Sequence, residues 1–476
     1  MSATLEQLLR DARIDLVLSR IEKDESIINE VIRNLDNQIR SIKFNAILVL
    51  GELGKKSFNA VAKLNSCLED NDWSICRETV RSLGKIGDLA ASSIPQISKL
   101  LDDKEESIRK EAAIALGRIG NPTPESISHL IAKLQDKSEI VRTEVAKTLG
   151  ELGDVAFDAI PYLMNSLKDV SWTVRTASAH SISQIGRGSI KAIPNLIIAL
   201  EDPDWRVRSR VSSTLVEIGK EAVPSLLEIL NNKNEIVRKE AVDTLGEMKI
   251  PDPKIIESIS HLLKDKKERV RGKTADALRN IGKEAIPALI KELDSASKKM
   301  KKVIISALGG IGKEARVALP VLFNLLSIEE QEHEYVPTFG YEIKSAFKSF
   351  IKDPLSKKAS IRVEVARALG QIGVNSEEAI NVLEKALNDP IKTVRREAAL
   401  SLGKIGSLSR KAIPSLIKTL QDKNPDVRWR ASEALGVIGV NTEEVIMGLN
   451  DLIHDECDYV CESAINAIDN LTEDRE

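Results

Sequence analysis

Hydrophobic residues recur along most of the chain in a pattern with a period of 33 residues. The stretch IRKEAAIALGRIG at residues 108–120 nearly returns as VRREAALSLGKIG at 394–406. In the second copy, the residues Val394, Ala398, Ala399, Leu402 and Ile405 lie on one face of a 3.6-residue helix. Each copy therefore predicts a helix with one buried face, and Gly406 is suited to end it as a left-handed C-cap.

The leucine or isoleucine that matches Leu116 marks thirteen copies of the pattern. These marker residues are Leu50, Leu83, Leu116, Leu149, Ile182, Leu215, Leu245, Leu278, Leu308, Leu369, Leu402, Leu435 and Ile468. The steps between them are 33 residues, except for two of 30 and one of 61. A sustained period of this kind predicts a solenoid, because each unit is too small to bury its apolar face alone and must stack on its neighbours.

A second apolar segment precedes each of these helices. Examples are AIPNLIIAL at 192–200 and AIPSLIKTL at 412–420, in which Pro194 and Pro414 are compatible only with the start of a helix. Polar turns such as EDPD at 201–204 separate the two segments. Each unit is therefore predicted to be a helical hairpin, and the chain to be an all-α array of about thirteen hairpins.

Composition gives no reason to divide this array into separate domains. Hydrophobic residues make up 42% of the chain and aromatic residues 3%, so the core must be aliphatic, and no linker interrupts the pattern. We expect a single array over residues 1–476. It would comprise an N-terminal cap with the first repeat at 1–50, regular repeats at 51–326 and 359–440, an insertion at 327–358, and a C-terminal capping repeat at 441–476.

Charged residues recur with the same period. An arginine follows the first apolar residue of the second helix in nine units, and we call this place the ladder position: Arg109, Arg142, Arg175, Arg208, Arg238, Arg271, Arg362, Arg395 and Arg428. Six residues earlier, seven units carry an aspartate: Asp103, Asp136, Asp169, Asp202, Asp265, Asp389 and Asp422. We expect these residues to form a structural, hydrogen-bonded ladder in which the acid also caps the turn. Cys76 and Cys461 replace the arginine near the ends, which predicts that the ladder stops where stacking stops.

These spacings, the AIP segment and the EAAxALGxIG helix resemble HEAT repeats, and in particular the HEAT-like subclass of phycobilisome lyase subunits. The resemblance implies a right-handed α-superhelix whose second helices line the concave surface. It also implies a scaffold that binds other macromolecules. An alternative is a phycobilin lyase-like factor for chromophore attachment or protein modification, because the lyases have similar repeats.

Catalytic chemistry has little support in the sequence. Deoxyhypusine hydroxylases also resemble this chain in fold, but they hold a di-iron centre with several His-Glu pairs, and only His333-Glu334 is present here. The five histidines are far apart, and the four cysteines match no zinc spacing. We predict no catalytic residue, no metal and no cofactor. The charged N-terminus and the lack of a long apolar stretch predict a cytoplasmic protein that does not insert into membranes.

Three positions of the second helix, one, five and nine residues after the ladder position, form a stripe that faces away from the buried residues. The early units of this second-helix stripe carry mainly basic residues, the middle units acidic residues, and later units basic residues again. The alternative is a solvated face without a partner. We expect a basic cluster to bind a partner: Arg77, Arg81, Lys85, Lys110 and Arg118. The acidic middle would repel nucleic acid, so a protein partner is predicted.

Aromatic residues mark two further candidate sites. Trp73, Trp172 and Trp205 lie three residues before the ladder position, where they either cover the rim of the core or bind a partner. Trp172 and Trp205 belong to adjacent units, and Arg206 accompanies them. The 61-residue step contains an insertion with five aromatic residues, of which we predict that Tyr335, Phe339 and Tyr341 contact a partner.

Overall fold

The computed structural model describes residues 3–327, 354–373 and 376–472, and all regular secondary structure in these ranges is helical. The chain divides into two compact units, residues 1–244 and 245–476. In each unit, hairpins of two helices stack side by side. The predicted all-α solenoid is therefore confirmed.

The first unit contains an N-terminal helix pair followed by regular hairpins. Its helices are α1 Leu5–Arg10, α2 Ile14–Lys23, α3 Ile27–Arg33, α4 Arg40–Leu53, α5 Val61–Cys67, α6 Trp73–Ile86, α7 Ile94–Lys99, α8 Glu106–Ile119, α9 Pro124–Lys133, α10 Glu139–Glu151, α11 Ile160–Ser166, α12 Trp172–Gln184, α13 Ile193–Ala199, α14 Trp205–Ile218, α15 Val223–Glu228 and α16 Glu235–Met248. The last of these helices contains the boundary between the units.

The second unit continues the same alternation of short first helices and longer second helices. Its helices are α17 Pro253–Ser260, α18 Glu268–Ile281, α19 Ile286–Ser295, α20 Lys298–Ile311, α21 Leu319–Ser327, α22 Pro354–Ile372, α23 Glu377–Ala386, α24 Lys392–Ile405, α25 Ile413–Thr419, α26 Pro425–Ile438, α27 Glu443–Asn450 and α28 Asp458–Thr472. Even numbers from α4 to α28 denote the thirteen second helices of the described part. Helix α22 begins inside the segment predicted as an insertion.

The predicted helices and their buried faces are confirmed. The two AIP segments form α13 and α25, each with its proline in the first turn. Val394, Ala398, Ala399 and Leu402 of α24 are fully buried, and Ile405 is 5% exposed. Short 3-10 segments such as Gly406–Ala412 connect most second helices to the following first helix.

A glycine near the end of most second helices allows the helices of neighbouring repeats to pack closely. A Cβ added at Gly84 of α6 would lie 3.0 Å from the Cα of Ala115 in α8, and one added at Gly436 of α26 would lie 2.9 Å from the Cα of Ala467 in α28. Contacts this close leave no room for a side chain. The glycine of the Leu-Gly dipeptide is therefore explained by packing between layers.

The backbone conformation of Gly406, the glycine that ends α24, differs from the predicted left-handed cap. Gly406 has φ 70° and ψ −142°, so it does not adopt the left-handed helical conformation of a C-cap. This combination of angles is accessible almost only to glycine. It arises because the chain turns directly into a 3-10 segment, whereas Gly439, with φ 74° and ψ 29°, does form a left-handed cap.

Candidate interaction surface on the second helices

The ladder arginines connect successive repeats through both their side chains and their turns. Arg109 donates from Nε and Nη2 to the carboxylate of Asp136 in the next repeat, at 2.8 and 3.0 Å. Its Nη1 donates to the carbonyl oxygen of Asp103 in its own turn, at 2.9 Å. The same three bonds recur at Arg142, Arg175 and Arg395. Such two-pronged pairs are the stronger class of charge-assisted hydrogen bond.

Each ladder aspartate also organises its own turn. Asp136 Oδ1 accepts a hydrogen bond from the backbone N–H of Ser138, at 2.9 Å, and Asp422 does the same with Asn424. Burial opposes ionisation of Asp136, but the hydrogen bonds from Arg109 and from Ser138 outweigh it and hold the pKa of the carboxyl below its usual value. The pKa values of Asp169 and Asp422 are lowered in the same way.

Within the described residues, the ladder departs from its predicted pattern at several places. Arg208 donates to Glu240, at 3.1 Å, because the next turn carries Asn232 where an aspartate would stand. Asp103 forms no ion pair with the described residues, because Cys76 occupies the ladder position before it. The ladder does not end there, however. Lys43, in the ladder position of α4, forms an ion pair with Asp70, so the prediction that the ladder stops at Cys76 is wrong.

A second network of ion pairs, which was not predicted from the sequence, lies along the stripe. Arg81 donates to Glu78 in its own helix at 3.2 Å and to Glu111 in the next second helix at 2.8 Å. Arg367 repeats this arrangement with Glu364 at 2.9 Å and Glu397 at 3.0 Å. The signal in the sequence is the glutamate two residues after the ladder position, as in IRKE and VRRE. We call these pairs the glutamate clamps.

The predicted basic cluster is consequently divided into paired and unpaired cations. Arg81 is held in a glutamate clamp, and Lys85 pairs with Glu52 at 2.7 Å. Arg77, Lys110 and Arg118 form no ion pair with the described residues. The sequence analysis counted only the charged residues on the stripe and left out the glutamates that stand two residues after the ladder position. It therefore overstated the positive charge of these units.

The tryptophans at the start of the second helices are exposed to different degrees. Trp205 is 67% exposed, Trp73 48% and Trp172 37%. The guanidinium of Arg206 stacks on the ring of Trp172, with 3.5 Å between its central carbon and the ring centroid. Arg206 is itself fixed by two hydrogen bonds to Asp204, at 3.0 and 2.6 Å. This stack connects α12 to α14 and leaves the ring of Trp205 open to solvent.

Three grooves open on the second-helix stripe. The groove of the first unit, with a volume of about 470 Å³, is lined by Lys147 and Glu151 of α10, by Trp172, Ala177 and His180 of α12, and by Arg210 of α14. Two grooves of the second unit, of about 330 and 400 Å³, contain Val303 and Ser463 respectively. Ala177, Val303 and Ser463 all stand two residues after the ladder position. At each of these three grooves, a side chain shorter than glutamate stands in the position of the clamp glutamate.

The groove at Ser463 brings together aromatic residues that the prediction did not include. Trp429 of α26 and Tyr459 of α28 meet edge to face, with ring centroids 5.7 Å apart, and both line the groove. Glu433 and Glu462 are also in its lining. Trp429 stands one residue after the ladder position, which places it on the stripe and which could have identified it from the sequence.

The predicted partner contacts in the insertion and the predicted absence of a metal site stay predictions. Tyr335, Phe339 and Tyr341 lie outside the described residues. In the described ranges, no group of three or more His, Cys, Asp or Glu side chains could hold a metal ion, and no helix is long and apolar enough to cross a membrane.

The repeat unit is a known one. A family model described as HEAT repeats matches residues 61–138, 94–183, 127–215, 160–246, 223–291, 349–418 and 392–469. These matches together span 61–291 and 349–469, well over half of the chain. The chain belongs to the HEAT-repeat family. The narrower resemblance to the phycobilisome lyase subclass stays a prediction.

Proteins similar to this HEAT-repeat protein are matched over only part of their length. A HEAT repeat-containing taxis protein of Halobacterium salinarum is 28% identical over 157 residues, which are 32% of this chain and 35% of the relative. The crystal structure of Kap121p bound to Ste12p is 16% identical with a TM-score of 0.52, over 95% of this chain and 49% of that chain. The chain therefore matches about a third of the taxis protein and half of Kap121p, and the structural likeness shows the fold alone.

Proposed function

We propose that this HEAT-repeat protein is a non-enzymatic scaffold or adaptor that holds protein partners against the second-helix stripe. The observation that carries the proposal is that these three grooves lie on the stripe and are not filled by the described side chains, whereas a further groove of about 370 Å³ opens just beyond the ends of α8 and α10, beside Gly120 and Val155. Concave sites with a few polar groups and an aromatic wall are typical of binding sites.

The residues around the grooves suit a protein partner. Trp172 and Trp429 line two of them, and tryptophan and arginine are the residues that most often contribute strongly to protein interfaces. Both signs of charge occur on the stripe, which favours a partner with mixed charge over a polyanion such as nucleic acid. Kap121p, a protein of similar fold that has been crystallised bound to Ste12p, is an example of such binding.

The aromatic residues of the insertion, Tyr335, Phe339 and Tyr341, form the second part of the proposed binding surface. They bring large contact areas with few rotatable bonds. A cytoplasmic location and the bilin-lyase alternative both stay predictions, and no observation in the described residues favours the second of these.

Site-specific photocrosslinking in the native host tests the proposal. A photoreactive residue at Gln184 or Asn470 would report on the stripe, while Ile198 and Met447, which are 63% and 64% exposed on first helices, provide matched controls. We expect discrete protein adducts from the stripe positions and few from the controls, identified by mass spectrometry. Equal labelling from all four positions would contradict a binding surface on the stripe.

A further inference from the structure

The groove at Ala177 lies where the repeat pattern lacks a carboxylate. In each glutamate clamp, the cation five residues after the ladder position bonds one glutamate of its own helix and a second glutamate 30 residues later. These second glutamates, Glu111 and Glu397, are 8% and 2% exposed. The chain therefore builds a buried carboxylate between neighbouring second helices at two separate places.

Lys147 occupies the clamp cation's position in α10, but it has only half of the clamp. Its Nζ pairs with Glu144 of its own helix at 2.8 Å. The residue 30 positions later is Ala177, whose side chain is too short to reach Lys147, and the groove of about 470 Å³ opens beside it. The place that Glu111 fills next to Arg81 is not filled next to Lys147 by any carboxylate of the described residues.

Other groups of the groove also favour a negatively charged acceptor. Arg210 of α14, which stands where other repeats have the clamp glutamate, forms no ion pair with the described residues. Thr176 Oγ1 and His180 Nδ1 are shielded from solvent and have no hydrogen-bond partner in the described part of the chain. Since these two atoms are already desolvated, a side-chain rotation that pairs them with a ligand recovers a hydrogen bond at little further cost.

We propose that this groove binds the side-chain carboxylate of an aspartate or glutamate in an extended segment of the partner protein. The carboxylate would take the place of the missing clamp glutamate, between Lys147 and Arg210. The apolar part of the segment would contact Trp172, whose ring Arg206 holds in position. A single negative charge suits the groove better than a phosphate, because Glu151 also lines it. This inference rests on the proposed function and adds the chemistry that the stripe recognises.

The substitution Ala177→Glu tests the inference because it supplies the missing carboxylate from the chain itself. The probe is a 12-residue peptide selected from a displayed random library on the full-length protein and then synthesised. We expect a peptide with one essential Asp or Glu. Its affinity should fall at least about tenfold when that residue is replaced by Asn or Gln, and by a similar factor when the protein carries Ala177→Glu.

Control variants separate charge from space. Ala177→Gln fills the groove without adding charge, so it should weaken binding but leave the melting temperature unchanged. Only Ala177→Glu should raise the melting temperature, because only a carboxylate completes the clamp. If Ala177→Glu does not fold, Lys147→Gln, at a half-exposed residue, should abolish the preference for the acidic peptide over its amide form. Tighter binding of a phosphoserine peptide than of the glutamate peptide would overturn the carboxylate assignment.

The outcomes distinguish this inference from the proposed function. Peptides selected without an acidic residue, or acidic peptides that bind Ala177→Glu as well as the unmodified protein, would overturn the inference. If stripe crosslinks to native partners nevertheless persist, the scaffold proposal stands without it. If neither peptides nor proteins are retained at the stripe, both fail.

Discussion

The guanidinium of Arg109 and the carboxylate of Asp136 form a paired hydrogen bond across two repeats, with side chains that are only 4% and 5% exposed. The same arginine binds the carbonyl oxygens of Asp103 and Lys104 in its own turn. One side chain thus connects two successive turns. We propose that this ladder stabilises the stack and takes no part in partner binding.

Replacing Arg109 by alanine should destabilise the protein more than replacing Arg208. Loss of Arg109 leaves a buried carboxylate without its cation, at a cost of about 3 to 5 kcal/mol. Loss of Arg208 should cost about 1 to 3 kcal/mol, because Glu240 keeps its contact with Lys239, at 3.0 Å. Urea denaturation of both variants measures the difference. Equal stability, or a loss of partner binding without loss of stability, would contradict a structural ladder.

Acid should weaken the ladder. The folded pKa values of Asp136, Asp169, Asp422 and Asp455 lie below their usual value. The stabilisation from a lowered pKa is present above the unfolded value, about 3.9, and is lost as the pH falls through the folded value. Urea midpoints should therefore fall steeply below pH 4. Asp136→Asn should be less stable at pH 7 but show a smaller loss on acidification. An unchanged pH dependence in this variant would argue against the assignment.

Much of the fold was predictable because each layer repeats a simple physical requirement. The buried face of α24 and the proline positions of α13 and α25 follow from periodicity and from helix-start chemistry. The conformation of Gly406 could not be predicted this way, because its ψ depends on where the next helix begins, which is a tertiary property.

The binding surface was only partly predictable. Grooves do open along the stripe that the sequence identified. The charges on the stripe, however, were counted without the glutamates that pair with them. Arg81 reads as a free cation in the sequence, and only the proximity of Glu111 in the next helix shows that it is clamped. Contacts between residues that are 30 positions apart, in neighbouring repeats, thus decide which charges remain available for a partner. A count of the charges along one helix face does not include these contacts.

The close packing of second helices gives a matched pair of glycine substitutions. Gly84→Ala should destabilise the protein by about 1 to 3 kcal/mol, because the new Cβ would lie 3.0 Å from the Cα of Ala115. Gly272→Ala in α18 should instead stabilise by up to about 1 kcal/mol, since no heavy atom of the described residues lies within 4 Å of its Cβ position and alanine favours helix. Thermal melting measures both. The same sign of effect in the two variants would refute the packing explanation.

The unpaired cations of the basic cluster should affect partner association, while the clamped one should affect stability. Reversing Arg77, Lys110 and Arg118 to glutamate should slow association and flatten its salt dependence, because charges that face solvent without an ion-pair partner act mainly on the encounter rate. Arg81→Glu should lower the melting temperature, because it places a third carboxylate beside Glu78 and Glu111. Binding kinetics at several salt concentrations separate the two effects. If the triple reversal leaves low-salt association unchanged, the cluster is a solvated face.

The insertion should be needed for a partner and dispensable for the fold. Helix α21 ends at Ser327, helix α22 begins at Pro354, and the two helices pack against each other. A turn such as EDPD could therefore replace residues 328–353, because the length of a connection changes the entropic cost of folding only slowly. We expect the shortened protein to keep its helical circular dichroism and a cooperative melting transition, but to lose at least one protein from affinity purification. A full-length variant with Tyr335, Phe339 and Tyr341 changed to alanine should lose the same protein, which separates the aromatic side chains from the length of the segment. If the shortened protein unfolds, or if both variants retain every partner, the insertion serves packing and its proposed role in binding is wrong.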